Sequence, residues 1–246
     1  MGFLDWYNAV FLVLFALAAF LYASVGHGGA SAYLALMSFY GLAPAEAKPL
    51  VLMMNVLVSS VALFSFYRKQ HFDGRMFLYL ALPSVPMAFV GSVMPLSDFL
   101  YRQLLGIILI ASALKLFIDQ RPQETIKPYN PWVLMGIGFC LGWVSGLLGV
   151  GGGILLSPLL MFLAWAPAKT ISGLSAAFIL VNSLSGLVAL QGRLPVLANT
   201  QFTWIGIVFI FGWMGAQVGV QRANYIWIKR LLAVVLIVAS FKLFLQ

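Results

Sequence analysis

Residues 145–167 read SGLLGVGGGILLSPLLMFLAWAP. Gly149, Gly151, Gly152 and Gly153 interrupt an apolar run where a plain helix would carry Ala or Leu. Each glycine in a helix interior costs about 1 kcal/mol, so the cluster reads as a break. Residues 132–148 before it form one apolar segment, and a short one, 153–165, follows and stops before Pro167. At about 1.5 Å per residue the short segment reaches only about 18 Å, too little to cross about 30 Å of hydrocarbon.

The same pattern stands earlier in the chain. Gly26-His27-Gly28-Gly29 lies 123 residues before Gly149-Val150-Gly151-Gly152, and Ala43-Pro44-Ala45 answers to Ala166-Pro167-Ala168 at the same offset. Asn55 pairs with Asn182 at an offset of 127, and residues 102–117 match 229–244 at seven of sixteen positions. The chain therefore reads as a duplication. Its first half has apolar segments near 8–25, 30–41, 49–67, 75–94 and 99–118, and its second near 132–148, 153–165, 171–190, 202–220 and 226–245. Residues 1–118 form the first membrane repeat, 119–130 a polar linker and 131–246 the second repeat.

Composition agrees. Of 246 residues, 63% are hydrophobic and 8% charged, against about 25% charged in a soluble domain. The net charge of +8 is spread singly or in pairs beside apolar runs, which is the pattern of topology signals and not of a nucleic-acid surface. The lone Cys140 excludes disulfides within the chain and cysteine metal sites. The first segment has no Lys or Arg ahead of it, and Asp5 has the wrong sign for a signal peptide, so it is expected to stay in the mature protein.

If each short segment pairs with its predecessor as a re-entrant hairpin, each half crosses three times and the halves are inverted. Arg68, Lys69, Arg75, Lys115, the linker, Lys169, Arg222, Lys229 and Arg230 then share one side, leaving Lys48, Arg102, Arg193 and Lys242 opposite. The positive-inside rule makes the rich side cytoplasmic and puts both termini outside. The expectation is an all-α polytopic membrane protein of two inverted repeats, each a Gly-broken hairpin plus three transmembrane helices. Eight spans in total, with 8–25 crossing alone, is the alternative.

The breaks also carry the chemistry. A helix starting after each break, near Ala30 and Ile154, presents unpaired N–H groups and partial positive charge. Two such ends meeting in mid-membrane make an anion site without Lys or Arg. The competing reading is close helix packing through glycine. By that contrast Gly136 and Gly138, inside an ordinary apolar run, are expected to tolerate alanine with little loss of anion binding. Asn55 and Asn182 could offer NH₂ donors to an oxyanion, with Ser59 and Ser185 about a turn further on, or could bond neighbouring helices. His27 is the ionisable side chain this layout places deepest; it could donate to an anion, carry a coupling proton or be structural. His71 lies in a basic loop and reads as solvated. No carboxylate pair serves acid/base catalysis, and no Gly-Lys-Ser/Thr of a Walker loop closes either glycine cluster, so neither an enzyme nor an ATP-driven pump is expected.

The duplicated Gly-x-Gly-Gly-Gly motif followed by a short apolar stretch and Pro resembles the TauE/SafE family of sulfite exporters. The match is strongest over Ser145–Pro167 and Asn182–Gly192 and weaker over 22–70, where His27 and Ala30 depart from the second motif. The resemblance implies secondary transport of sulfite, sulfonates or related organosulfur anions. Carried over by position, the motif residues are Gly26, Gly28, Gly29, Gly149, Gly151, Gly152 and Gly153. With His27, Asn55 and Asn182 they form the expected substrate site in an inner (plasma) membrane protein. No cofactor or metal and no nucleic-acid partner is expected; a homo-oligomer is compatible with the sequence. A passive anion channel and an accessory membrane subunit without its own substrate are the alternatives.

Overall fold

The computed structural model describes residues 3–117, 126–193 and 199–221, together with Ile237, Ser240, Phe241 and Phe244. Among the described residues the chain is helical, with no strand. The helices are α1 (Phe3–Ser24), α2 (Ala30–Tyr40), α3 (Pro44–Arg68), α4 (Gly74–Val93), α5 (Asp98–Phe117), α6 (Pro131–Leu148), α7 (Gly153–Leu163), α8 (Ala168–Ala189) and α9 (Asn199–Gln221). Of these, α3, α4, α6, α8 and α9 are long and apolar enough to cross a membrane. The expected last segment, 226–245, and linker residues 119–125 lie outside the described residues apart from the four positions named.

Local chemistry sets the boundaries. Pro44 opens α3 and Pro131 opens α6, where a missing N–H costs nothing. The Asp73 carboxylate accepts from the N–H of Met76 at 2.9 Å to cap α4, and Asn130 accepts from Trp132 at 2.9 Å to cap α6. The two short helices, α2 and α7, have eleven residues each and begin at glycines with left-handed backbone and no side-chain cap.

The packing crosses between halves. Helix α3 lies antiparallel to α8, with Leu52 against Gly186, Asn55 on Ser183 and Phe66 against Gly173. Helix α6 runs parallel to α4, setting Gly138, Gly142 and Gly146 on the carbonyls of Leu80, Ser84 and Ala88. Helix α9 runs parallel to α1 in the same manner, with Gly215 and Gly219 on the carbonyls of Phe20 and Ser24. The first helix of each half thus pairs with the fourth helix of the other. Glycine every fourth residue lets the backbones touch, the small-residue packing that replaces a hydrophobic drive in lipid. Within α6 the two glycines of the ordinary apolar run differ: a Cβ on Gly136 meets open space, whereas one on Gly138 runs into Leu80.

Two lysines close helix ends. Lys48 in the second turn of α3 donates to the carbonyls of Ser92 and Leu147, each at 3.2 Å, at the ends of α4 and α6. Lys169 at the start of α8 donates to Val220 at the end of α9, at 3.1 Å. Both cations meet the negative end of a helix dipole.

Candidate functional site

The sequence between α1 and α2 and that between α6 and α7 turn sharply through glycine. Gly26 and Gly29 have φ of 76° and 90°, and Gly149, Gly151 and Gly152 have φ of 74°, 74° and 73°. An L-residue is strained there, so these positions need glycine whatever the space around them. Gly28 and Gly153 take ordinary backbone angles, and for them the requirement is room. A Cβ on Gly28 collides with the amide oxygen of Asn55, and one on Gly153 would lie 2.5 Å from Cδ1 of Ile179.

The outer glycines lean on the opposite half. Gly26 abuts the carbonyl of Ser172 in α8, and Gly149 abuts the side chain of Lys48 in α3. The inner ones converge. Gly28 and Gly151 face the same two side chains, Asn55 of α3 and Ile179 of α8. The structure therefore brings both breaks and Asn55 into one place. Asn55 is fully buried; its Nδ2 lies on the Gly151 side and donates to Ser183 at 3.3 Å, while its Oδ1 lies on the Gly28 side without a hydrogen-bond partner.

Asn182 sits elsewhere. The residue of α8 that answers Asn55 at the breaks is Ile179, at an offset of 124, and Asn182 lies three residues further along. Its Oδ1 accepts from Ser84 of α4 at 2.7 Å, and its Nδ2 has no partner. Ser185 donates to the carbonyl of Val85 at 2.7 Å, and Ser59 donates to the carbonyl of Asn55 within its own helix.

Two residues that sequence reasoning missed stand at the helix starts. The Tyr33 hydroxyl lies 2.5 Å from where a Cβ on Gly29 would be, and Cβ of Ser145 lies 3.2 Å from the same point on Gly152. Both hydroxyls are buried without a hydrogen-bond partner among the described residues. Most buried polar groups in proteins are bonded, and leaving one unbonded costs about 1–3 kcal/mol. Of four such side-chain atoms among the described residues, three belong to residues touching the breaks: Tyr33, Ser145 and Asn55. Ser145 falls inside the quoted motif, one turn before Gly149; Tyr33 in an apolar helix gives no comparable signal.

His27 is also held at the first break. Its Nδ1 is 2.9 Å from the carbonyl of Val25, and its Nε2 is 3.1 Å from Oγ of Ser157 in α7. The first break is thereby tied to the second half. Electrostatically the breaks present the uncapped N-terminal N–H groups of α2 and α7, with hydroxyl and amide donors beside them. That set suits a small anion.

A helical chain with five membrane-length apolar helices, packed through glycine seams around buried polar groups, is a multi-pass membrane protein. Residues 10–243 match the Sulfite exporter TauE/SafE family, and the chain belongs to that family of membrane transporters. It is 29% identical over 236 residues to the "Probable membrane transporter protein y4hK" of Sinorhizobium fredii, covering 94% of this chain and 96% of that one. It is 25% identical over 187 residues to the "Probable membrane transporter protein YjnA" of Bacillus subtilis, covering 68% and 73%. No solved structure matches the chain.

Proposed function

We propose that this protein is a secondary transporter of the inner membrane that exports a small sulfur-containing anion such as sulfite or an organosulfonate. The observation that carries the proposal is the convergence of two uncapped helix N-termini on Asn55, with the unpartnered hydroxyls of Tyr33 and Ser145 beside them. An oxyanion with three or more oxygens can accept from several such donors at once. Binding it there would also give the buried hydroxyls of Tyr33 and Ser145 an acceptor.

The two halves act as inverted repeats. The antiparallel α3 and α8, and the swapped parallel pairs α1 with α9 and α6 with α4, support this reading. Each glycine break then ends a hairpin whose first arm is α1 or α6 and whose short return arm is α2 or α7. Rocking of one repeat against the other alternates access to the site. Asn55, Tyr33 and Ser145 are at most 1% exposed, which supports an occluded carrier over an open channel. A cell interior negative by 100 mV drives each exported negative charge outward by about 2.3 kcal/mol.

The test is flux of sulfite, sulfate and alkanesulfonates in liposomes containing only this protein. Saturable flux of one sulfur oxyanion, lost in Asn55→Ala, is expected. Flux of none of them removes the proposal, and a steady single-channel current replaces the carrier with a channel.

A further inference from the structure

His27 is 3% exposed, and both ring nitrogens are engaged. A carbonyl oxygen only accepts, so Nδ1, facing Val25, bears a hydrogen in every state. Nε2 is therefore where a proton is gained or lost. Its partner, Ser157 Oγ, has two further neighbours: the carbonyl of Gly153 at 3.1 Å and Oγ of Ser175 at 2.6 Å.

A serine hydroxyl has one hydrogen, and here it has two useful directions. With His27 neutral, Ser157 donates to Nε2 and accepts from Ser175. With His27 an imidazolium, Nε2–H donates to Ser157 Oγ, which still accepts from Ser175 and turns its own hydrogen to Gly153. Rotation about a single C–O bond exchanges the two arrangements, and each leaves both ring nitrogens bonded. Buried polar networks commonly satisfy one protonation state and penalise the other. This one accommodates both.

Among the described residues, groups facing the ring come from three helices. Tyr22 of α1 stands edge-on at 6.4 Å with its hydroxyl 2.8 Å from that of Ser31, α7 presents Ser157, and α8 presents Ser175. All three are neutral groups. The matching position of the second break is the buried, apolar Val150, which offers no such site. His27 directly precedes Gly28, which faces Asn55, so an imidazolium here places positive charge beside the proposed anion in a low-dielectric setting.

We propose that Nε2 of His27 is a proton-binding site coupled to the anion: it takes up one proton as the anion binds between the breaks and releases it as the anion leaves. This rests on the anion-site reading above. The proton comes from water on the side of binding and returns to water on the side of release. Carried with a divalent anion, it leaves one net negative charge to move.

The test is calorimetry on the purified full chain with ethanesulfonate and with sulfate, neither of which takes up a proton between about pH 5 and 8, where an imidazole does. Affinity for at least one should tighten as pH falls, by up to about tenfold per unit for one fully linked proton. Measured in two buffers of different ionisation heat, binding should take up protons. In His27→Gln, whose amide can hydrogen-bond but does not titrate in this range, binding should be independent of pH.

His71 is the internal control. Burial first, then Lys169, lowers its pKa, and His71→Gln should keep the pH dependence of the parent. That variant leaves His27 as the sole histidine, so nitrogen NMR on it should show a neutral ring turning to imidazolium when anion is added at fixed pH. This measurement stands even if His27→Gln fails to fold. Binding without pH dependence, a dependence that survives in His27→Gln, or an unchanged ring state on binding overturns the proton site alone. Binding of neither probe at any pH overturns the anion site and this proposal with it.

Discussion

Asn55 of α3 and Ile179 of α8 face the same two glycines from opposite halves of the molecule. A Cβ on Gly28 would lie 3.1 Å from Ile179 Cγ2 and collide with the Asn55 amide, and one on Gly151 would lie 2.8 Å from Ile179 Cγ2 and 3.1 Å from Asn55 Nδ2. The pair matches in position and differs in chemistry, so one half supplies an amide where the other supplies a branched hydrocarbon. Asn55→Ala is therefore expected to weaken anion binding by about 1.5–3 kcal/mol, tenfold or more, as for a lost hydrogen bond to a charged group. Ile179→Val should stay within about 1.5 kcal/mol of the parent in stability and bind comparably. Calorimetry on both variants checks this; equal losses of affinity would mean that shape and not the amide matters.

The hydroxyls of Tyr33 and Ser145 allow a cleaner separation of binding from folding. Neither has a partner among the described residues. Tyr33→Phe and Ser145→Ala remove a buried group that folding leaves unbonded, so melting temperature should hold or rise. Anion affinity should fall in both. Unchanged affinity in both variants would take these hydroxyls out of the site.

Asn182 should behave differently from Asn55. Its side chain accepts from the buried Ser84. Asn182→Ala breaks the 2.7 Å bond from Ser84 at a cost of about 1–3 kcal/mol, whereas Asn55→Ala breaks only the longer 3.3 Å bond to Ser183, so the melting temperature of Asn182→Ala should fall further. Thermal unfolding of the two variants side by side decides the point.

Glycine substitutions should sort by environment. Gly151→Ala and Gly152→Ala force a side chain into left-handed backbone and against Ile179 or Phe178, and should lose anion binding. Gly138→Ala should instead part α6 from α4 and lower stability, and Gly136→Ala should be neutral. Binding and monodispersity measured together check this. Wild-type binding by the two break variants would return those glycines to a packing role.

The proposed inversion of the halves has its own consequence. Antiparallel α3 and α8 put the exposed Gln70 and Gln191, each just past a helix C-terminus, at opposite ends of the molecule. In a Cys140→Ala background, cysteine at Gln70 should be labelled from the cytoplasm only and cysteine at Gln191 from outside only. Labelling of both from one side would end the inverted arrangement.

The sequence by itself determined the membrane class, the succession of apolar helices as far as α9 and the two breaks. Each follows from local properties: apolar length against bilayer thickness, and the freedom of glycine to adopt positive φ. Those properties need no knowledge of neighbours, and so α2 and α7 stand where Ala30 and Gly153 lead one to expect them. Tertiary structure decided which residues meet. Asn55 and Asn182 look alike on paper, yet α3 and α8 cross in a register that sets Ile179 opposite Asn55 and turns Asn182 toward Ser84. Gly136 and Gly138 are two residues apart in one apolar run, and only the second lies on the α4 backbone. Likewise Ser157 and Ser175 are ordinary helix serines until packing brings them to His27. A side chain's partners depend on helix rotation and register, which are fixed by summed contacts between segments distant in the chain and leave no mark on local sequence.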